Sequence, residues 1–334
     1  MRRFVLTYKF ILLMLIFLLF VVFLVSVAVG RYPLSVDVVF GALFLHNSSE
    51  SVVSNIIFNI RLPRVIAAML VGAALAVSGA AFQGLFKNPL VSSYQLGVSS
   101  GAGFGAALAI LSAGSTVIVQ SSAFIFGIVA VSASFAMSRI YKGSSALTLV
   151  LSGIIIGSFF SALVSLMQYI ADPRETLPAI VFWLMGSLSS VTVDTVRVAA
   201  PVILIGIVGI FVVRWRINIL AMGEDEARAL GIDLRILVAI IVACCTIATA
   251  SAVCISGIVG WVGLIIPHIG RMLVGPDYKK LIPVSAVIGA FYLVVIDDIA
   301  RSLTSGEIPL GILTALVGTP FFGYLLWKAK TSWS

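Results

Sequence analysis

The sequence predicts an all-α integral membrane protein with about ten transmembrane helices per subunit. Three observations lead to that class. Hydrophobic residues make up 61% of the 334 and charged residues 10%. A soluble domain carries about 25% charged residues to cover its wet surface. Apolar runs approaching the roughly 20 residues of one bilayer crossing recur from end to end. Lys and Arg fall singly in the gaps between those runs, as they do in the cytoplasmic loops of membrane proteins.

The elements follow in chain order. Arg2, Arg3 and Lys9 precede an apolar run from Phe10 to Val29 in which Ser26 is the one polar residue. The apolar region of a secretion signal is shorter, about 7–15 residues, so this run reads as a retained first helix. Charged residues and Pro/Gly turns divide the chain into spans near 9–29, 62–82, 93–111, 117–138, 145–170, 195–213, 236–256, 258–271, 281–301 and 309–327. The loop 30–60 is polar enough to lie in water, and Ser35 and Asp37 are placed to cap a short amphipathic helix through Leu45. The stretch 172–194 is too short and interrupted for two crossings. It predicts a surface-lying or re-entrant helix around Ile180–Ser187. The chain reads as one transmembrane domain, 1–334, with an outer loop at 30–60 and its longest cytoplasmic loop at 214–235.

Orientation follows from the basic residues. With ten spans and the N-terminus inside, fifteen of the 21 Lys and Arg fall on the inner face. The outer face receives Arg31, Arg61, Arg64, Arg174, Arg197 and Arg301. The positive-inside rule then places both termini in the cytoplasm. The formal charge of +8 is spread singly rather than gathered with aromatics on one face, which argues against nucleic acid. Cys244, Cys245 and Cys254 share one apolar segment without metal-type spacing and read as small buried apolar residues.

Small residues mark where helices should touch. Gly101 and Gly105, Gly153 and Gly157, and Gly257, Gly260 and Gly263 recur at intervals that let backbones approach closely in lipid. Gly101, Gly103 and Gly105 also half-match a dinucleotide loop, but no strand–turn–helix context surrounds them. Ser78, Gly79, Pro89 and Gly97 are echoed 178 positions later by Ser256, Gly257, Pro267 and Gly275. Inverted repeats of this kind are common in transporters.

The predicted span interiors contain no Asp, Glu, Lys or Arg near their middles, where charge is costly and usually functional. The polar atoms there are Ser and Thr hydroxyls, with Gln83 and Gln168 toward the ends. This disfavours a proton- or sodium-coupled carrier. His268 reads as a helix-end packing residue. No phosphate-cradling G-x-x-x-x-G-K-[ST] loop occurs, so uphill transport would need a separate ATPase. The cytoplasmic loop supplies a candidate docking knob for it. Gly223 ends one short helix, Glu224, Asp225 and Glu226 favour the start of the next, Ala227 and Leu230 share a face, and Gly231 stops it. The plain alternative is an ordinary solvated loop.

Several blocks together resemble a known family. They are Arg61-Leu-Pro-Arg64, Val71-Gly-Ala-Ala-Leu75, Ser78-Gly79, Phe82-Gln83, Asn88-Pro89-Leu90 and Leu96-Gly97; Gly223 with Ala227-Arg-Ala-Leu-Gly231; Gly260-Trp-Val-Gly263 with Pro267-His268 and Arg271; and Asp298-Ile-Ala-Arg301 with Glu307-Ile-Pro-Leu-Gly311. Collinear from about residue 30 to 327, they are similar to the iron-chelate, haem and cobalamin uptake permeases of ABC importers. Trp261, where Phe is more usual, and the doubled Asp297-Asp298 depart from the pattern. The resemblance implies a non-catalytic permease without cofactor, in the prokaryotic inner membrane. It would work as a homodimer with two cytoplasmic ATP-binding subunits and an extracytoplasmic substrate-binding protein. Gly223, Glu224, Asp225, Ala227, Leu230 and Gly231 would couple to the ATPase. Arg61, Arg64 and Arg301 would receive carboxylates of the binding protein. Asp297 and Asp298 stand four and three residues before Arg301, so intrahelical pairing is the competing reading there. By resemblance and position, the gate would lie at Ser144, Ser145, Ala146 and Leu147. The cargo stays open among ferric siderophore, haem, cobalamin and oxyanions. The rivals are a stand-alone secondary transporter or channel, and a membrane-embedded enzyme, for which no acid–base or nucleophile set lies at a common depth.

Overall fold

A computed structural model describes the chain apart from residues 1, 31, 33, 34, 36, 38, 42–50, 141–145, 305 and 332–334. The side chains of 2–7, 51, 146, 224 and 326–331 are also outside the description. The helix expected over 35–45 falls mostly on those residues. Thirteen α-helices are described, with no strand among the described residues. They are α1 (Arg2–Ala28), α2 (Ser51–Asn55), α3 (Leu62–Leu85), α4 (Val98–Leu111), α5 (Thr116–Ile140), α6 (Ala146–Ile170), α7 (Thr176–Met185), α8 (Val193–Met222), α9 (Glu224–Ala229), α10 (Leu234–Ser256), α11 (Val262–Val274), α12 (Tyr278–Ser302) and α13 (Leu310–Thr331). A π-helical turn, Ile56–Arg61, joins α2 to α3.

Each of the ten predicted spans falls on a helix, and the helix expected near Ile180 is α7. Seven helices are long and apolar enough to cross a membrane. The other three spans fall on α4, α11 and α13, whose described apolar stretches are shorter. The main shift is in α8, which does not end near residue 213 but runs on to Met222. Past Gly209 it meets no Gly or Pro, and Arg214 and Arg216 lie over the rings of Phe211 and Trp215. Long cationic side chains of this kind let a helix leave the apolar layer without breaking.

The core is built around α3. It packs most extensively on α12 and also on α8, α10 and α11, while α4, α5 and α6 form a second group joined to it through α10. Such proximity in lipid needs small residues at the contacts. A Cβ on Gly72 would lie 2.1 Å from the Gly289 carbonyl oxygen of α12, and one on Gly79 would lie 1.9 Å from that of Gly263 in α11. Of the predicted packing glycines, Gly101 and Gly105 lie close against Phe126 and Ser122 of α5, and Gly153 against Gln95, whereas Gly157 has room for a Cβ at 3.6 Å from Gly97. The chain leaves helix at 257–261; there Gly257, at φ 64°, lies against the end of α7, where an added Cβ would fall 2.3 Å from the Trp183 carbonyl oxygen, whereas Gly260 has nothing within 4 Å.

Residues 86–97 and 257–261 are the breaks that shorten α4 and α11. Non-helical backbone at membrane depth survives only where protein satisfies it. Tyr94 Oη donates to the Val259 carbonyl at 2.6 Å, and Gln83 Nε2 donates to the carbonyls of Val91 (3.1 Å) and Gly263 (3.4 Å). Each break therefore answers the other. The sequence echo falls on unlike settings: Ser78 and Gly79 lie inside α3, whereas Ser256 ends α10. The Gly101–Gly105 run is buried inside α4.

Gly79→Ala is expected to lower the thermal unfolding midpoint in detergent by at least about 5 °C, because α3 and α11 must separate. Gly323→Ala, where nothing lies within 4 Å of the added methyl, should leave the midpoint unchanged. Equal midpoints for both would remove the close-packing argument.

Candidate functional sites

The densest polar constellation joins α1, the start of α3, the end of α12 and the loop leading into α13. Arg64, third residue of α3, uses both edges of its guanidinium. Nε and Nη2 donate to the Asp297 carboxylate at 2.9 Å, while Nη1 and Nη2 donate to Glu307 Oε1 and Oε2 at 2.8 and 2.9 Å. Such bidentate pairs fix orientation as well as charge. Asp297 also lies 3.9 Å from Arg301 Nε. Arg301 pairs with Asp298 and donates to the Ser26 carbonyl at 2.5 Å and the Ser26 hydroxyl at 2.8 Å. The Ser26 hydroxyl donates in turn to Asp298 at 2.7 Å. Two arginines thus hold three carboxylates.

Arg61 ends the π turn and caps a different element. Its Nη1 donates to the carbonyls of Val27 (2.8 Å) and Ala28 (2.7 Å), the last residues of α1, and Nη2 donates to Tyr32. The last carbonyls of a helix have no intrahelical partner, so a guanidinium satisfies several at once. Gly30 makes room for it, since a Cβ there would fall 2.6 Å from Nη2. The three arginines expected to face outward are thus only 4, 9 and 6% exposed (Arg61, Arg64, Arg301) and carry internal partners. Helix-end carbonyls and the acids of α12 reach them first. The intrahelical pairing of Arg301 is present.

On the opposite end lies the 214–235 hairpin. Gly223 ends the long α8 rather than a short helix, and α9 follows at once. Glu226 folds its carboxylate back over Gly223. Ala227 is fully buried while Leu230 is 65% exposed, so the two do not share a face. A six-residue helix pinned between α8 and α10 turns one side fully inward. Gly231 stops it with φ 74°, and Asp233 caps α10 through the amides of Arg235 and Ile236. Asp225 and Arg228 form an exposed pair at 3.4 Å. The side chain of Glu224 lies outside the described residues.

A connection absent from the sequence reading secures this end. Asn218, on the extension of α8, donates to Asp277 at 2.7 Å and accepts from the Tyr278 amide at 2.8 Å. Asp277 also caps α12 through the Lys279 amide. Pro276-Asp277 before an apolar run is a legible cap signal, but its partner 59 residues away carries none.

The third feature is a face of α6. Ser158, Ser161, Ala162 and Ser165 are exposed along one side, and Ile155, Phe159, Leu166 and Ile170 along the adjoining one. Ser161 donates to Ser100 of α4 at 3.1 Å. Of the expected gate residues, Ser144 and Ser145 lie outside the described residues. Ala146 begins α6, and Leu147 is 64% exposed.

Residues 18–328 match the sequence profile of the FecCD transport family. The chain is 42% identical over 309 residues to a molybdate import system permease protein of Haemophilus influenzae, covering 92% of each chain. It is 37% identical over 293 residues to a hemin transport system permease protein of Yersinia pestis, covering 85% of this chain and 87% of that one. A solved chain of a metal-chelate type ABC transporter, in an inward-facing conformation, superimposes with TM-score 0.88 at 41% identity over 96% of this chain and 99% of that one.

Arg64→Gln is expected to cost about 3–5 kcal/mol, because it strands the Asp297 carboxylate in a site 1% exposed. Pairing it with Asp297→Asn should recover part of the loss. The check is denaturant or thermal unfolding in detergent; wild-type stability in the single variant would remove the buried-pair assignment.

Proposed function

Because the chain belongs to the FecCD transport family, we propose that this multi-pass permease is the path-forming subunit of an ATP-driven importer. It pairs with a second copy, draws on two cytoplasmic ATP-binding subunits, and takes cargo from an extracytoplasmic substrate-binding protein. The cargo is a metal chelate or an oxyanion, the classes named in the relatives at 37–42% identity. The membrane is the inner membrane of a prokaryote, and the lysine and arginine asymmetry supports cytoplasmic termini.

The observation that carries this reading is the α6 face. Ser158, Ser161 and Ser165 stand at helical spacing on an exposed surface of a span otherwise fit for lipid. Ser161 donates to Ser100 and Ser165 to the Ser161 carbonyl, both at 3.1 Å; along a path, such hydroxyls would still offer weak, replaceable lone pairs to a bulky polar cargo. A fixed charge would hold what must leave. The large apolar side chains beside them suit lipid or the second copy. The gate at Ser144, Ser145, Ala146 and Leu147 would stand where this face begins.

The two ends serve the partners. Leu230, an exposed apolar side chain on a hairpin held by Ala227 and by the Asn218–Asp277 link, suits a hydrophobic cleft of the ATPase. Gly223, Glu224, Asp225 and Gly231 shape that knob. Motion received there would pass along α8 and α12. At the other end, Arg61, Arg64 and Arg301 form the base of the rim on which the binding protein docks. Their engagement inside the subunit makes docking a matter of exchanging partners rather than filling a vacant guanidinium.

Reconstituted in liposomes with its ATPase and binding protein, the permease should take up cargo only with ATP; uptake that survives ATP removal would favour a secondary transporter or channel. Leu230→Asp should lower uptake by roughly tenfold, the loss of about one apolar contact at an interface, while folded protein still accumulates. Undiminished uptake would remove the coupling assignment.

A further inference from the structure

Resting on the docking reading above, we infer that Glu307 is the exchangeable carboxylate of the outer cluster, and that a docked binding protein displaces it from Arg64 to loosen the entry into α13. The cluster holds three acids in unequal settings. The Asp297 side chain is 1% exposed and lies between Arg64 and Arg301. Asp298 is 17% exposed and held by Arg301 and Ser26. Glu307 is 23% exposed and, among the described residues, its carboxylate bonds Arg64 alone. It is also the one acid carried by a connecting loop rather than a helix.

The exchange is charge-neutral inside the protein. Arg64 keeps its bond to Asp297 throughout, and the incoming carboxylate occupies the edge that Glu307 leaves. No buried charge is stranded, so the several kcal/mol cost of an unpaired ion does not arise. Glu307, already part-exposed, turns to water. The vacated edge presents two parallel N–H donors, a fork that suits a carboxylate.

The consequence lies in the next three residues. The Ile308 amide donates to the Ala300 carbonyl of α12 at 3.1 Å, and the Leu310 amide donates to the Gly186 carbonyl beyond α7 at 2.8 Å. Glu307 therefore anchors the short strap that registers α13 against α12 and α7. The far side of that junction is an open groove lined by Leu184, Met185, Trp261, Ile312, Leu316 and Thr319. Trp261, held at φ 69° with its ring against Gly318 and Phe322, is the wall against which α13 packs. Releasing Glu307 frees α13 at the outer end while Arg64–Asp297 keeps α3 and α12 locked.

The test uses the full complex and the variant Glu307→Gln, which keeps shape and loses charge. With its competitor weakened, Arg64 should bind the docked carboxylate more strongly, so binding-protein affinity at low salt should rise roughly three- to tenfold. A simple brace predicts the opposite, and unchanged or weaker docking would overturn the inference. Hydrogen exchange gives a second readout. Docking should speed exchange of the Ile308 and Leu310 amides in wild type, and they should already be fast in Glu307→Gln. Protection of those amides on docking would also overturn it. Arg61→Glu and Arg64→Gln separate the two levels. If both leave docking unaltered, the arginine rim itself is wrong and the exchange falls with it. If both weaken docking while Glu307→Gln does not strengthen it, the rim stands and only the exchange falls.

Discussion

The buried pair of Arg64 and Asp297 is the joint on which the two largest surfaces of the core depend. It links the first turn of α3 to the last turns of α12, the helices with the most extensive mutual packing. An ion pair whose carboxylate is 1% exposed is a poor source of stability, since desolvation offsets most of its attraction. Its value is in register. With Gly72 against Gly289, the two backbones nearly touch, and a slip of one residue would drive a side chain into a carbonyl. The small-residue seam allows the approach; the charge pair fixes where along the seam it happens. Arg301 and Arg61 extend the same logic to α1, which packs on α12 along one side and leaves the other exposed.

The same rule governs the broken helices. No water is available in hydrocarbon to satisfy a free peptide group, so every interruption must find its partner within the chain. Tyr94 of 86–97 bonds the Val259 carbonyl of 257–261, and Gln83 of α3 bonds the carbonyls of Val91 and of Gly263 in α11. Ser134 adds a bond at 3.1 Å to the Leu96 carbonyl. These bonds let α4 and α11 stay short without leaving those carbonyls unpaired.

Periodicity and composition made the helices legible, and Pro/Gly punctuation located most of their ends. What failed had physical causes. The extension of α8 to Met222 escaped notice because Arg214 and Arg216 look like a loop, although their aliphatic stems and neighbouring rings let a helix carry them. Ala227 and Leu230 were assigned one face because spacing says nothing about what lies beneath a six-residue helix; α8 and α10 lie beneath it. Asp297 and Asp298 announced a pairing with Arg301 through local spacing. The bond from Asp297 to Arg64 spans 233 positions and leaves no local mark. For the same reason the burial of all three arginines was invisible. Charge at a helix end reads as exposure until the partners are placed.

Packing is distributed unevenly, and the unevenness suits transport. The span containing α3 is 78% buried within the subunit, whereas that of α6 is 22% buried. Among the described residues, α13 meets its neighbours through the ring of Trp261, the strap at 307–310, Gly311 against Met185 and Phe321 and Phe322 beside His268. A subunit that moved cargo by deforming its core would have to break the seam between Gly72 and Gly289, where no smaller side chain exists to relieve a shift. The helices able to move at low cost are those with open faces and hydroxyl or aromatic linings. Dense packing around α3 and open faces on α6 and α13 are therefore complementary: the proposed moving walls would have a locked pair to work against.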